Sequence, residues 1–297
     1  MTAVSREGHA TRARFEVTPL HDREVIRRLI ENDRAYSAYA IAQLDPHLFE
    51  GNEWWLSRGP VGRDALLVHS TSGLGAALFA MGDPEALDAA ISLHPGPRFT
   101  FGSLRLEHRA VAEKHFVLSR PQLMTRMSVN AGTFKPVSGA VVRLGPADVA
   151  DVNKIYSIEG GPTAYRPGHL EDGVYYGAYI GGQLISIAGT HVVSRPERIA
   201  VVGNVFTHPS HRGKGYATLT TSAVTADLLQ DCDPVVLTVE SKNAAAVAIY
   251  AKLGYQAVCS LHETPMLRKD PFGVGAFVRR ALANWRGRDE GKEVVVR

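Results

Sequence analysis

Residues 199–217, IAVVGNVFTHPSHRGKGYA, constrain this chain more than any other stretch. Ile199 to Thr207 is a β-branched apolar run of strand length, and Pro209, which has no N–H, stops further ladder pairing. His211, Arg212, Gly213, Lys214 and Gly215 then form a basic, glycine-bearing turn, and from Ala217 the sequence can run as a helix to about Leu229. A strand, a turn and a helix start in that order leave backbone N–H groups unpaired at the positive end of the helix dipole, where an anion is favoured. Gly213 and Gly215 lack a Cβ, so a phosphate can approach the main chain, while Arg212 and Lys214 add positive charge. A solvated basic turn without a ligand is the competing reading, and a short glycine pattern alone does not separate the two. Neither G-x-x-x-x-G-K-[ST] nor the three-glycine dinucleotide pattern is present.

The rest of the chain narrows the class. Its 297 residues are long for one domain and comfortable for two. Hydrophobic residues at 45% and charged residues at 21% describe an ordinary globular protein, and 33 basic against 30 acidic residues, a net +3, give no argument for nucleic acid as a partner. Any basic site is therefore local. Cys232 and Cys259 are too few for a disulfide framework, which fits a reducing compartment. No leader-like apolar segment and no run of the ~20 apolar residues needed to cross a bilayer is read, so a cytoplasmic location without membrane attachment is expected. His69, His94, His108 and His115 show no metal-ligand spacing, and no metal is expected.

In chain order, residues 1 to about 13 read as a polar arm, and 14–20 as a short strand. A helix capped by Asp22 follows, carrying Val25, Ile26, Leu29 and Ile30. Ala35 to Leu44 reads as a second helix, Ala65–His69 and Gly75–Ala80 as strands joined by a turn over residues 70–73, Glu85–Ile91 as a helix and Phe99–Leu104 as a strand. Residues 127–138 are rich in glycine, proline and small polar residues and read as a connection. The pattern then restarts, with a strand at 141–144 and a helix from Pro146 to about Ile158. A hairpin of Val174–Ile180 and Gln183–Val193 turns about Gly181-Gly182. After the 199–207 strand and its helix, Pro234–Val239 is an apolar run suited to a strand buried on both faces and parallel to 199–207. A helix from Asn243 to about Leu253, capped by Ser241 or Asn243, ends at Gly254, and two short strands, 256–260 and 263–267, close the unit.

Two segments together carry a resemblance. Arg212-x-x-Gly215-x-Ala217 resembles the acyl-CoA pyrophosphate loop of the GNAT superfamily of N-acetyltransferases. Asn243-x-x-Ala246-x-x-x-Tyr250-x-x-Leu253-Gly254-Tyr255 resembles that superfamily's helix after the fifth strand. The match covers roughly residues 139–268 and looks closest to the FR-type, glycine-acyltransferase-like branch. The first half is similar only in element order and has no basic glycine loop. The resemblance implies an α/β fold of two GNAT-like domains, each a twisted, mostly antiparallel sheet flanked by helices, with splayed parallel strands in the second. It divides the chain into a degenerate domain (14–126), a connection (127–138), an acyl-CoA domain (139–268) and a helical extension (269–297).

The same resemblance implies an N-acyltransferase that moves acetyl from acetyl-CoA, or another acyl group, to a primary amine of a small molecule. Val205, Phe206 and Thr207 would meet the pantetheine arm and the thioester, and Arg212, Gly213, Lys214, Gly215, Tyr216 and Ala217 the pyrophosphate. Asn243 would cap its helix or touch the pantetheine, and Tyr250 would protonate the departing sulfur. The acid that many members carry early on the fourth strand is missing from Ala200-Val201-Val202-Gly203. His191 and Glu240 are the substitutes considered for the general base, with His208 a weaker one. Tyr165, Arg166, Tyr175 and Tyr176 fall where the acceptor would lie. In the extension, Phe277, Val278, Ala281, Leu282 and Trp285 share a helical face expected to pack on the first half or on a second copy in a homodimer. A non-catalytic acyl-CoA-binding module, or an enzyme acting on a protein amine, stands as the alternative.

Overall fold

The computed structural model describes residues 15–71, 75–161 and 163–289. The expected polar arm over 1–13, Ser72 and Gly73 of the expected turn, residues 290–297 and the side chain of Trp285 lie outside the described part.

The first half runs β1 (Glu16–Pro19), α1 (Arg23–Ile30), α2 (Ala38–Ala42), α3 (Pro46–Phe49), β2 (Asn52–Arg58), β3 (Ala65–Ser70), β4 (Ala77–Gly82), α4 (Pro84–Leu93), β5 (Phe99–Arg105), α5 (Arg109–His115), β6 (Phe116–Leu118) and β7 (Gln122–Val129). The second runs β8 (Val142–Arg143), α6 (Val149–Ser157), α7 (Pro167–Asp172), β9 (Tyr176–Ile180), β10 (Gln183–Ser194), β11 (Ile199–Thr207), α8 (Tyr216–Leu228), β12 (Val235–Glu240), α9 (Ala244–Lys252) and β13 (Gln256–Arg268), followed by α10 (Val274–Asp289). Local chemistry sets several boundaries. Asp22 accepts the N–H groups of Glu24 and Val25 at 2.8 and 3.2 Å, and turns Ile26 and Ile30 of α1 into the core. Asp83 caps α4 in the same way, with Pro84 at the first helical position.

All the strands form one thirteen-stranded mixed sheet in the order β1-β2-β3-β4-β5-β13-β7-β12-β11-β10-β9-β8, with β6 also paired to β13. The order shows an exchange. β7, from the first half, pairs with β12 of the second, while β13, from the second, pairs with β5 of the first. The two exchanged strands pair with each other antiparallel from Gln256↔Ser128 to Glu263↔Gln122. Each half thus supplies a strand to the other's sheet, and the halves share one continuous ladder.

The structure corrects several element assignments. Asn52–Arg58 is a strand, with Trp54 only 2% exposed, although its sequence shows no strand-like alternation. β7 runs through Val129, three residues into the stretch read as a connection. The two short closing strands are one 13-residue strand, kept in register across Thr264 and Pro265 by β5, with a bulge between Ala257 and Cys259 against β7. The second helix is the short α2, 38–42, all five of whose residues are buried.

Layering follows side-chain alternation. On one face, α8 and α9 cover Val235, Leu237 and Val239, and α4 and α5 cover Leu67, Leu78 and Leu104. On the other, α6 and α7 cover Leu184 and Ile187. There α1 and α2 of the first half form a core with Trp54, Leu66 and Val68 that also includes Ile199, Val201 and Val236. The first half therefore roofs part of the second half's central strands. Helix α10 rests on α4 through buried Ala276, and Arg279 and Arg280 bond the carbonyls of Ser92 and Leu93. It does pack on the first half, but not by the expected apolar face: Phe277, Val278 and Leu282 are exposed.

Candidate functional site

The parallel pair β11–β12 holds register only at Ala200↔Val235, Val201↔Val236 and Val202↔Leu237. Beyond Val202 the strands part. Gly203 to Thr207 are only half-buried, although they lie in the middle of the sheet. On the other side of β11 the ladder to β10 steps from Gly203↔Gly189 to Phe206↔Ile187, leaving Asn204 and Val205 bulged. Asn204 has φ +55°, a left-handed value that asparagine tolerates better than most residues. Where β12 leaves β11, the main-chain groups of β11 that face it lose their strand partner, although the Asn204 carbonyl accepts the Tyr156 hydroxyl instead.

At the end of β11 lies the glycine turn. Gly213 and Gly215 have φ of +75° and +84°, and a Cβ built on either meets nothing within 4 Å. Gly215 is the N-cap of α8. Among the described residues, no acceptor meets the N–H groups of Gly213, Lys214, Gly215, Tyr216 or Ala217. The result is an open cradle of backbone donors at a helix start, suited to a diphosphate. Arg212 and Lys214 fold back to hold the turn: Arg212 Nε donates to the Thr207 carbonyl at 3.1 Å and its guanidinium pairs with Glu159, while Lys214 Nζ donates to the Ser210 carbonyl at 3.1 Å. The Phe206 carbonyl accepts from Ser186 Oγ at 3.3 Å. His208 accepts the Ser210 N–H on Nδ1 at 3.2 Å, which caps the turn after β11.

Across the opening, α9 begins with Asn243, whose Oδ1 accepts the Ala246 N–H at 3.1 Å, so its observed role is the cap. Tyr250 is 8% exposed and packs edge-on to Tyr255. Its hydroxyl has no hydrogen-bond partner among the described residues. Burial pushes its pKa up to about 12, so the phenol holds its proton at neutral pH.

The base candidates are placed differently. His191 stands where the strands start to part: a Cβ on Gly203 would come within 2.2 Å of its Nε2, so the ring lies directly over the glycine and a larger residue would have to displace it. Its Nδ1 lies 2.7 Å from the hydroxyl of Tyr39, on α2 of the first half. Solvent reaches the ring, but the protein surrounds it on most sides, and desolvation with Arg126 nearby lowers its pKa below the usual imidazole value. Glu240 is engaged instead by Lys242 Nζ at 2.7 Å.

Three residues of this neighbourhood escaped sequence reasoning: Tyr39, Arg126 and Glu263. Arg126 is fully buried, 5.0 Å from the centre of the Tyr39 ring, and bonds the Tyr36 carbonyl and Ser103 Oγ. The Glu263 carboxylate lies 3.8 Å from it, and burial raises its pKa against the pull of Arg126. All three lie on α2, β7 and β13, elements drawn together by the roof and the strand exchange. An arginine in the middle of QLMTRMSV was the one available signal. Of the expected acceptor-side residues, Tyr165 and Tyr175 join Tyr156 in a ring cluster beside Asn204. Tyr176 faces the opposite side, with its hydroxyl on Asp227.

The first half repeats the geometry without the chemistry. β4 and β5 pair in parallel only at Ala77↔Phe101, Leu78↔Gly102 and Phe79↔Ser103 and then part. There the Tyr36 hydroxyl donates to the Ala80 carbonyl at 2.6 Å, and α4 starts at once behind Pro84, after a turn with one left-handed glycine, Gly82, and no basic residue.

A twisted sheet with two parallel strands parting above a glycine turn is the architecture of the GNAT acetyltransferases. The acetyltransferase (GNAT) family model matches residues 150–255, so this part of the chain is a GNAT acetyltransferase domain. Solved structures agree in fold. A GNAT-family protein from Novosphingobium aromaticivorans is 23% identical over 68% of this chain and 88% of its own, with a TM-score of 0.52. A GCN5-related N-acetyltransferase from Kribbella flavida is 16% identical over 80% and 95%, at 0.54, and a Drosophila protein 12% identical over 84% and 98%, at 0.62. No curated protein matches the chain. Among the described residues, no helix is long and apolar enough to cross a membrane, and no group of three His, Cys, Asp or Glu could hold a metal ion.

Proposed function

We propose that this chain is an acyl-CoA-dependent N-acyltransferase that moves an acyl group, acetyl in the first instance, directly onto a primary amine of a small molecule. The observation that carries this reading is the parting of β11 and β12 at Val202 and Leu237 with an open cradle of N–H groups, Gly213 to Ala217, at its mouth. The cradle would hold the pyrophosphate, the bulged edge at Asn204 and Val205 the pantetheine arm and thioester carbonyl, and Tyr250 would lie toward the sulfur.

In this reading the amine nitrogen attacks the thioester carbonyl carbon, a C–N bond forms and the C–S bond breaks. The Tyr250 hydroxyl gives its proton to the departing sulfur and recovers one from solvent. The proton lost by the amine passes to His191, which is uncharged near neutrality because its pKa is lowered, or through water to it. The engagement of Glu240 with Lys242 favours His191 between the two sequence candidates. The first half contributes Tyr39 to this histidine and closes one wall of the acceptor space, while at its own parting strands Tyr36 bonds the Ala80 carbonyl.

Calorimetric titration with acetyl-CoA, followed by detection of free thiol with a panel of primary amines, tests the reading. Binding with amine-dependent thiol release supports it. Binding without release under any amine supports a non-catalytic acyl-CoA module, and absence of binding removes both.

A further inference from the structure

A second cavity, of about 700 Å³, lies at the other end of the first half's strands. It is bounded by the start of β2, the end of β3, the loop 94–97 and the start of α10. β3 and β4 are antiparallel with Ser70 opposite Ala77, so this end is the one away from which β4 and β5 part. None of its walls belongs to the glycine turn, to α9 or to the surroundings of His191.

One wall is built of acceptors. Glu50 and Glu53 have no ion-pair partner among the described residues. His69, 2% exposed, donates from Nε2 to the His94 carbonyl at 2.8 Å, which fixes its tautomer because a carbonyl can only accept. Nδ1 is therefore a bare lone pair, and it has no partner. A Cβ on Gly96 would stand 2.3 Å from that nitrogen, so the glycine backbone lies directly against the ring and keeps Nδ1 covered.

The facing wall carries the opposite charge. Arg268 is committed to the carbonyls of Gly96, Asp270 and Pro271, whereas Arg280 bonds the Leu93 carbonyl through Nη1 alone. That leaves the remaining N–H groups of Arg280 for an anion. Between the two walls stand Phe272 and Phe277, 86% and 66% exposed. Two carboxylates and two guanidiniums balance, so a ligand with a single net charge is disfavoured and one carrying both charges with an apolar body between them fits best.

We infer that this cavity binds a zwitterionic amino acid with an apolar side chain, its ammonium group toward Glu50 and Glu53, and its carboxylate toward Arg280. The site is independent of the acyl-transfer reading.

The test is a thermal-shift screen of the full chain with the twenty standard amino acids, followed by calorimetry on the best binder. Its N-acetyl derivative and its decarboxylated amine, which each remove one charge, are the comparators. The expected result is saturable binding by apolar amino acids and binding at least about tenfold weaker for each comparator, since a hydrogen bond to a charged group contributes that much. Glu53→Gln and Arg280→Met should weaken it similarly while leaving acetyl-CoA affinity unchanged. Glu53 is exposed, so its variant is expected to fold normally. No stabilisation by any of the twenty, or affinity unchanged in both variants, would overturn the assignment.

Discussion

Gly215→Glu separates the fold from the proposed phosphate cradle. Gly215 has φ +84° and open space where a Cβ would go, so the substitution creates no clash and the fold bears only the left-handed conformation of an L-residue, about 1–2 kcal/mol. For a chain of this size that lowers Tm by only a few degrees, about 2–4 °C per kcal/mol. The effect on the ligand is larger. A carboxylate about 4 Å from a phosphate charge repels it by about 1 kcal/mol in water and about 4 kcal/mol at a protein surface of effective dielectric ~20. Because the turn is exposed, the loss lies between these limits, from several-fold to about a thousandfold in acetyl-CoA affinity. Gly182→Glu is the matched control: it has φ +77° and equally open space, but lies in the β9–β10 hairpin. Calorimetry on both variants, with Tm measured alongside, decides the matter. Equal acetyl-CoA affinity in the two would refute the cradle.

Three further outcomes are expected. Tyr250→Phe should leave Tm and acetyl-CoA affinity nearly unchanged, since the hydroxyl bonds nothing among the described residues, but lower kcat by about 10²-fold or more in steady-state thiol release. The acid limb of the kcat/KM profile should have its midpoint below the ordinary imidazole value of 6.5, because desolvation by the surrounding protein and nearby Arg126 favour the neutral ring, and activity should fall as pH drops through that midpoint; the limb should vanish in His191→Gln. Calorimetry should give one acetyl-CoA per chain, and Tyr36→Phe should destabilise the fold by about 1 kcal/mol for the lost bond to Ala80 without opening a second site.

The second half was legible because its signals are local. Ile199–Thr207 appears with the boundaries its composition suggested, and the helices after it begin within a residue of their glycine and asparagine caps. The glycine turn was readable for the same reason: φ, cap and N–H exposure depend on a few adjacent residues. The first half was less so. Asn52–Arg58 has no clean alternation because both tryptophans sit on adjacent positions, and Gln122–Val129 merges into a linker-like composition. What holds those strands is partners far away in sequence, which periodicity does not encode. Tyr39, Arg126 and Glu263 were hidden for that reason, since each lies in an unremarkable segment and becomes part of the site only through the roof and the shared ladder. His191 was nameable as a residue, but its place over Gly203 was not.

The exchange of β7 and β13 gives the chain a topology of mutual dependence. A break near residue 138 would yield two fragments, each holding a strand shaped for the other and lacking one of its own. Neither fragment could satisfy its central hydrogen bonds alone. The natural remedy is to find the missing strand on another molecule, so two such fragments made together form a split-protein pair whose reassembly reports on the integrity of the central ladder.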